Sequence, residues 1–346
     1  VDEKLKILLV DDSSLMRVII SDIISNDTEM VLVDTANNGK EAYEKAKSLD
    51  PDVVVLDMVM SEYDGLYAVK QIIENHPKPI VLLSSLERND PQILDALSAG
   101  AFDFVDKPKA KAISQLRSVD QKLIRTIRAA SRANMRVLTD KARRRVQENH
   151  TFATCLSYDI IAIGASTGGP RAVEAILERL PSNLSIPVVI AQHMPENFVR
   201  NFALRLDNIS PLRVKVAEEG EQLRGGYVYL AAGKKNTYIK RDIATQRISF
   251  SLTNRKYEEF NEPSIDCLFD SVAEIYRSRS IAAVLTGMGR DGTLGMKKIY
   301  QAGGLTIAQD EASSVVFGMP KSVIETGVAR HTISLQDIPL FIISCL

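Results

Sequence analysis

The stretch Ile160-Ile161-Ala162-Ile163-Gly164-Ala165-Ser166-Thr167-Gly168-Gly169-Pro170, followed by a helical run from Arg171 to Leu180, reads as a buried strand, a sharp turn and a helix. Glycines permit the tight bend, and the unpaired N–H groups of the following helix would lie near the Ser166 hydroxyl. The turn matches the G-x-S-x-G nucleophile pattern. A phosphate-cradling loop is the rival reading, although Pro170 stands where a P-loop would end in Lys-Ser/Thr. Alone, this turn leaves both readings open. Two more apolar runs, Val188 to Ala191 and Ile281 to Leu285, extend the rhythm into an α/β domain. Between them, Gly225 to Leu230 and Asn236 to Ser251 alternate polar and apolar residues, which predicts an antiparallel hairpin inserted into the fold.

A histidine ends the second run, in Gln192-His193-Met194-Pro195, and an acid follows the third, in Thr286-Gly287-Met288-Gly289-Arg290-Asp291-Gly292. In a parallel sheet these positions share one edge with Ser166. Serine is a weak nucleophile until an imidazole takes its proton, and a carboxylate on the other ring nitrogen orients that imidazole. The three together favour the hydrolase reading. The order Ser, His, Asp differs from the Ser, acid, His order of α/β-hydrolases, so that fold is not implied. Of the remaining histidines, His76, His150 and His331 carry no comparable signal. Gln309 and Asp310 are candidates to line the site, whereas Ser314 to Pro320 reads as a turn and core segment. Met194, Met288 and Met319 read either as soft packing residues or as substrate contacts, with packing the default.

The first third of the chain has its own βα rhythm, with short apolar runs at Leu5–Val10, Val31–Asp34, Val53–Leu56, Ile80–Leu83 and Phe102–Val105, and a closing helix over Ile113–Ala130. Runs without alternation suit strands buried on both faces, which predicts a doubly wound five-stranded parallel domain. Asp11, Asp12 and Asp57 then collect beyond the strand ends. Three converging carboxylates repel unless a cation joins them, and hard oxygen ligands suit Mg²⁺. Ser84 and Lys107 fall at the ends of the fourth and fifth strands, so the edge offers a carboxylate nucleophile, a hydroxyl and an ammonium, the parts phosphoryl transfer needs.

The 346 residues, 45% apolar and 25% charged, are enough for two cores. A net charge of −1 gives no global pull toward nucleic acid or an anionic membrane. Residues 131–155 break the pattern, with six basic residues against two acidic ones, and read as a basic linker between a domain at 1–130 and another at 156–346. The three cysteines, Cys155, Cys267 and Cys345, have no metal-site spacing and suggest a reducing compartment. No run is apolar enough to span a bilayer, and Val1 to Lys4 leads into a strand rather than a signal peptide, so a cytoplasmic location is expected.

Asp11-Asp12, Asp57 with Asp64-Gly65 after it, Ser84 and Lys107-Pro108 resemble the receiver domains of two-component response regulators over roughly the first 125 residues. Ser61 departs from the proline usual there. The resemblance implies Asp57 as phosphoacceptor, Asp11, Asp12 and Asp57 as Mg²⁺ ligands, Ser84 and Phe104 as switch residues, and Lys107 in support. Gly-Ala-Ser-Thr-Gly-Gly-Pro, Gln-His-Met-Pro, Thr-Gly-Met-Gly-x-Asp-Gly, Ala308-Gln309-Asp310-Glu311 and Ser314–Pro320 are similar to the chemotaxis receptor methylesterases, the protein-glutamate methylesterases that follow a receiver domain. That likeness implies Ser166 as nucleophile, His193 as general base, Asp291 as orienting acid, the Met288 N–H as an oxyanion donor and Thr167 as an assistant. It also implies glutamate γ-methyl esters on chemoreceptors as substrate, receptor glutamine as a second one, no cofactor for the ester reaction, a chemotaxis histidine kinase as phosphodonor, and recruitment to receptor arrays. The unphosphorylated receiver is expected to cover the Ser166 edge, and phosphorylation to loosen that cover. Neither nucleic acid nor membrane insertion is expected; a phosphorylation-dependent receptor adaptor with little catalysis is the alternative.

Overall fold

The computed structural model describes residues 4–84, 92–107, 113–139, 158–257, 259 and 261–346, which fall into two compact units, Val1–Lys141 and Ala142–Leu346. In the first unit the chain runs β1 (Leu5–Val10), α1 (Ser14–Ser25), β2 (Met30–Ala36), α2 (Gly39–Leu49), β3 (Val53–Asp57), α3 (Gly65–Asn75), β4 (Ile80–Ser84), α4 (Gln92–Ala99), β5 (Asp103–Asp106), α5 (Ile113–Ser131) and α6 (Met135–Thr139). The five strands are parallel in the order β2-β1-β3-β4-β5. Every residue of β3 and β4 is buried, which is why both read as unbroken apolar runs. Helix α5 turns Leu123, Ile127 and Ala130 inward at helical spacing. The described part of the 131–155 stretch holds α6, whose Leu138 is buried; residues 140–155 lie outside the described residues.

The second unit continues with β6 (Ile160–Ala165), α7 (Gly169–Leu177), β7 (Val188–Gln192), α8 (Glu196–Ile209), β8 (Arg213–Val216), β9 (Tyr227–Leu230), β10 (Asn236–Arg241), β11 (Ile248–Thr253), α9 (Ile265–Tyr276), β12 (Ser280–Val284), α10 (Thr293–Gln301), β13 (Leu305–Gln309), α11 (Met319–Glu325), β14 (His331–Ile333) and α12 (Ile338–Cys345). Seven strands form one parallel sheet in the order β14-β13-β12-β6-β7-β9-β8. Strands β10 and β11 form the separate antiparallel pair, and this pair packs on α9 through the Ile239 N–H, which donates to Ser271 Oγ at 3.0 Å.

One expectation is corrected. Tyr227–Leu230 is not part of the hairpin; it forms β9, parallel between β7 and β8. The reason is burial: Val228, Tyr229 and Leu230 are all at or below 1% exposure, so the segment needs cover on both faces and neighbours on both edges.

In both sheets the chain starts at a central strand, winds outward, and returns on the other side. The strand order therefore reverses between β1 and β3 in the first unit and between β6 and β12 in the second. At such a switch point adjacent loops diverge and leave a crevice beyond the strand ends.

Candidate active site

At the second switch point, β6 ends at Ala165 and β7 at Gln192, and these two residues are register partners. Ser166 and His193 are thus each the first residue beyond neighbouring strands, with the His193 N–H bonded to the Ala165 carbonyl at 3.0 Å. Their side chains meet: Ser166 Oγ lies 3.0 Å from His193 Nδ1, and His193 Nε2 lies 2.7 Å from Asp291 Oδ2. The three residues predicted from the turn, the strand end and the late loop therefore form one hydrogen-bonded chain.

Asp291 is buried, and five donors satisfy it. Oδ2 accepts from His193 Nε2 and the Ile265 N–H; Oδ1 accepts from the N–H groups of Asp266 and Gly292 and from Ser264 Oγ. Burial alone would raise its proton affinity, but the bond and charge of His193 and the backbone donors outweigh it and hold the carboxyl below its ordinary range. Three of the five donors come from the start of α9, where Ser264 is the N-cap and also accepts the Cys267 N–H at 3.2 Å, and Gly292 is the N-cap of α10. Asp266, the second residue of α9, returns the arrangement by accepting the Gly295 N–H of α10 at 2.7 Å. Neither Ser264 nor Asp266 emerges from motif reading. The signal available for Ser264 is its place as a Pro-Ser step before a helical run, an N-cap signature.

The loop after β12 completes the floor. A Cβ on Gly287 would stand 2.7 Å from Ser166 Cβ and 2.4 Å from Met319 Sδ, so only glycine lets this loop approach the nucleophile. Its N–H donates to Val316 O, and Ser166's own N–H donates to Thr286 O. The next N–H, of Met288, donates to no backbone acceptor among the described residues, and Met288 is 39% exposed. Thr167 is buried, and its carbonyl accepts from Thr286 Oγ1 at 3.0 Å. Gln309 supports the loop from below: Oε1 accepts the Thr286 N–H and Nε2 donates to Ser313 O. Asp310 accepts from Ser313. Met194 and Met319 are buried packing residues.

The first switch point gathers Asp11 past β1 and Asp57 at the end of β3, with exposed Asp12 beside them; one oxygen of each lies within 4.8 Å of the others. Lys107 Nζ sits 2.8 Å from Asp11 Oδ2 and 2.7 Å from Asp57 Oδ2. Burial pulls the ammonium toward neutrality, but the two carboxylates outweigh it and keep it charged. Among the described residues, Lys107 is the cation in contact with these carboxylates, and the three together carry more negative charge than it offsets, which a divalent, oxygen-loving ion fits. Ser84 is buried at the end of β4, across from Asp106, and its Oγ has no hydrogen-bond partner among the described residues. Phe104 is buried on β5.

Comparison with known proteins agrees with both units. The protein-family model for the CheB methylesterase matches residues 161–342, and that for the response regulator receiver domain matches residues 7–117. A protein-glutamate methylesterase/protein-glutamine glutaminase of Thermotoga maritima is 40% identical over 98% of this chain and 97% of its own length; one of Archaeoglobus fulgidus is 41% identical over 93% of each. The crystal structure of the Thermotoga maritima CheB methylesterase catalytic domain is 43% identical, with a TM-score of 0.53, covering 55% of this chain and 100% of that domain. This chain belongs to the CheB methylesterase family, with a response regulator receiver domain at its N-terminal end.

Proposed function

We propose that this chain hydrolyses glutamate γ-methyl esters on chemotaxis receptors, releasing methanol, deamidates receptor glutamines at the same site, and is activated by phosphorylation of Asp57. The observation that carries the reading is the continuous contact from Ser166 Oγ through the His193 ring to Asp291.

The ring is used in one direction. Asp291 accepts at Nε2, so the neutral imidazole carries its proton there and offers the Nδ1 lone pair to Ser166. Ser166 Oγ attacks the ester carbonyl carbon as its proton passes to Nδ1. The resulting oxyanion is met by the Met288 N–H, with Thr167 assisting at the turn. Collapse breaks the bond to methoxide, which leaves as methanol with the proton from Nδ1. Water, deprotonated by His193, then attacks the γ-glutamyl ester on Ser166, releasing carboxylate and restoring the hydroxyl. With glutamine the leaving group is ammonia, and every other step is shared. No cofactor is required.

In the receiver, Asp57 is the phosphoacceptor. Mg²⁺ would be held by Asp11, Asp12 and Asp57, and when bound it supplies charge neutralisation for a transferring phosphoryl group. Lys107, in contact with Asp57, would offset charge on the transferred group, and Ser84 Oγ is available to bond a phosphate oxygen, the event that would engage Phe104 and the switch face. A chemotaxis histidine kinase would be the donor. The enzyme would work at cytoplasmic receptor arrays; no helix among the described residues is long and apolar enough to cross a membrane. The receiver domain would span 1–130 and the methylesterase domain 156–346, with the basic segment 131–155 as connector.

The test is methanol release from methylated receptor membranes, with and without a small phosphodonor and Mg²⁺. Wild type should release methanol, faster with phosphodonor; S166A should release none, and D57N should lose the phosphodonor-dependent rise. Release by S166A would end the hydrolase assignment.

A further inference from the structure

Gln192 is the last residue of β7, 3% exposed, and its side chain takes no part in the chemistry above. Its amide nitrogen lies 2.9 Å from the Ser166 carbonyl oxygen and 3.2 Å from the His193 carbonyl oxygen. One NH₂ group has two hydrogens, so each carbonyl receives one. The reverse amide orientation would aim an oxygen at two oxygens, so this orientation is fixed by its acceptors. The remaining atom, Oε1, is buried and has no donor among the described residues. It is pressed on the turn: a Cβ on Gly169 would stand 2.1 Å from it. The Gly169 N–H in turn donates to the Ser166 carbonyl at 2.8 Å. Gln192, Ser166, His193 and Gly169 thus form a closed set in which a buried oxygen goes without a donor so that the nitrogen can reach both carbonyls. Buried amides are ordinarily satisfied at both ends, and an exception calls for an explanation.

We infer that Gln192 is a positioning residue that clamps the backbone of the nucleophile to the backbone of its base, setting the Ser166 Oγ to His193 Nδ1 distance. The inference rests on the Ser166–His193 reading of the site. Ser166 and His193 each stand one residue past the end of neighbouring strands, where the last ladder bond, from the His193 N–H to the Ala165 carbonyl, engages neither the Ser166 nor the His193 carbonyl. The amide ties those two carbonyls together from one side chain. Because proton transfer depends steeply on the approach of the two atoms, loosening the clamp should slow the chemical step more than substrate binding.

The experiment measures kcat and KM for methanol release from methylated receptor membranes by the full-length protein across pH, for wild type, S166A, Q192M, Q192E and G169A. Q192M keeps the length of the side chain and removes both donors; kcat should fall by about 10- to 100-fold with KM within about twofold. G169A pushes the amide aside without altering it and should reproduce that split. Q192E offers a donor only while its introduced carboxyl is protonated, so the ratio of its rate to wild type should fall as pH rises. A pH-independent ratio for Q192E, or a kcat for Q192M within twofold of wild type, would overturn the clamp. Should Q192M fail to fold, the Q192E ratio decides alone. Activity in S166A would instead remove the reading on which the clamp depends, and the two failures are told apart by that variant.

Discussion

Asp57 and Asp291 occupy comparable places in their two sheets, each beside the crevice where strand order reverses, yet their surroundings are opposite. Asp291 accepts from five donors and is held ionised below its ordinary range. Asp57 accepts the Val59 N–H at 3.2 Å and faces Lys107; burial pushes its carboxyl up, Asp11 adds to this, and the Lys107 bond and charge only partly oppose it. A saturated carboxylate has no lone pair left for a new bond and can only orient its neighbour. An undersatisfied one is more basic and has oxygens to give to a phosphorus or a cation. Under the proposed function, the same residue type at the same kind of place would be a scaffold in one unit and a reactive group in the other, with donor count separating the two.

The largest effects should come from the saturated site. S166A or H193A should lower methanol release by about 10⁴-fold or more, because nucleophile and base act as a unit. A D291A variant with near-normal turnover would break the comparison outright, since a carboxylate with five donors would then orient nothing. Next, D57N should abolish the phosphodonor-dependent rise, and Asp57 should be the residue that carries the label from a radioactive phosphodonor. Label on Asp11, which has the same kinds of partner as Asp57, one backbone N–H and Lys107, or on Asp12 would overturn Asp57 as the phosphoacceptor. A smaller effect is expected from S264A, which removes a cap on α9 and one of Asp291's donors: about 1 kcal/mol of stability in a denaturant titration and a rate loss under tenfold, the backbone donors remaining. A rate loss as large as that of D291A would show the hydroxyl, not the helix start, to be what holds the acid.

How far these sites are legible in sequence follows from what kind of contact makes them. Ser166, His193 and Asp57 each stand at or beside the end of a strand that reads as an apolar run, so the parallel-sheet rule alone brings them to an edge. Asp291 is placed by its motif and the strand before it. Ser264 and Asp266 bond Asp291 from 27 and 25 residues away, through a helix start whose neighbour no local pattern specifies. Strand β8 alternates over only four residues and β14 has only three, too few to set a pattern, and each exposes residues at a sheet edge: Arg213 in one, His331 and Thr332 in the other. Tyr227–Leu230 misleads because its alternation reads as a strand with one exposed face, whereas Val228, Tyr229 and Leu230 are all buried and the segment is paired on both edges by β7 and β8.

Asp266 offers the subtlest test, because it sits beside Asp291 and is treated differently by the same helix starts. Burial pushes its carboxyl up to about 7 and the charge of Asp291 adds to this, against the N–H groups of Gly295, Gly292 and Leu294. The folded chain therefore binds a proton there between about pH 4 and 7 that the unfolded chain does not. Its stabilising share is fully present below the unfolded value of 3.8 and is lost as pH rises through about 7, above which the buried charge is a standing cost. D266N keeps an oxygen for the Gly295 N–H and removes the charge. The melting temperature of the C-terminal unit in D266N should match wild type near pH 4, pull ahead through the window, and level off above pH 7. At about 1.4 kcal/mol per unit, the ceiling is of the order of 4 kcal/mol. A difference that stays flat from pH 4.5 to 8.5 would mean the three N–H groups hold Asp266 ionised throughout. It would then be a second saturated carboxylate like Asp291, and donor count would outrank both burial and like charge in setting what a buried acid does.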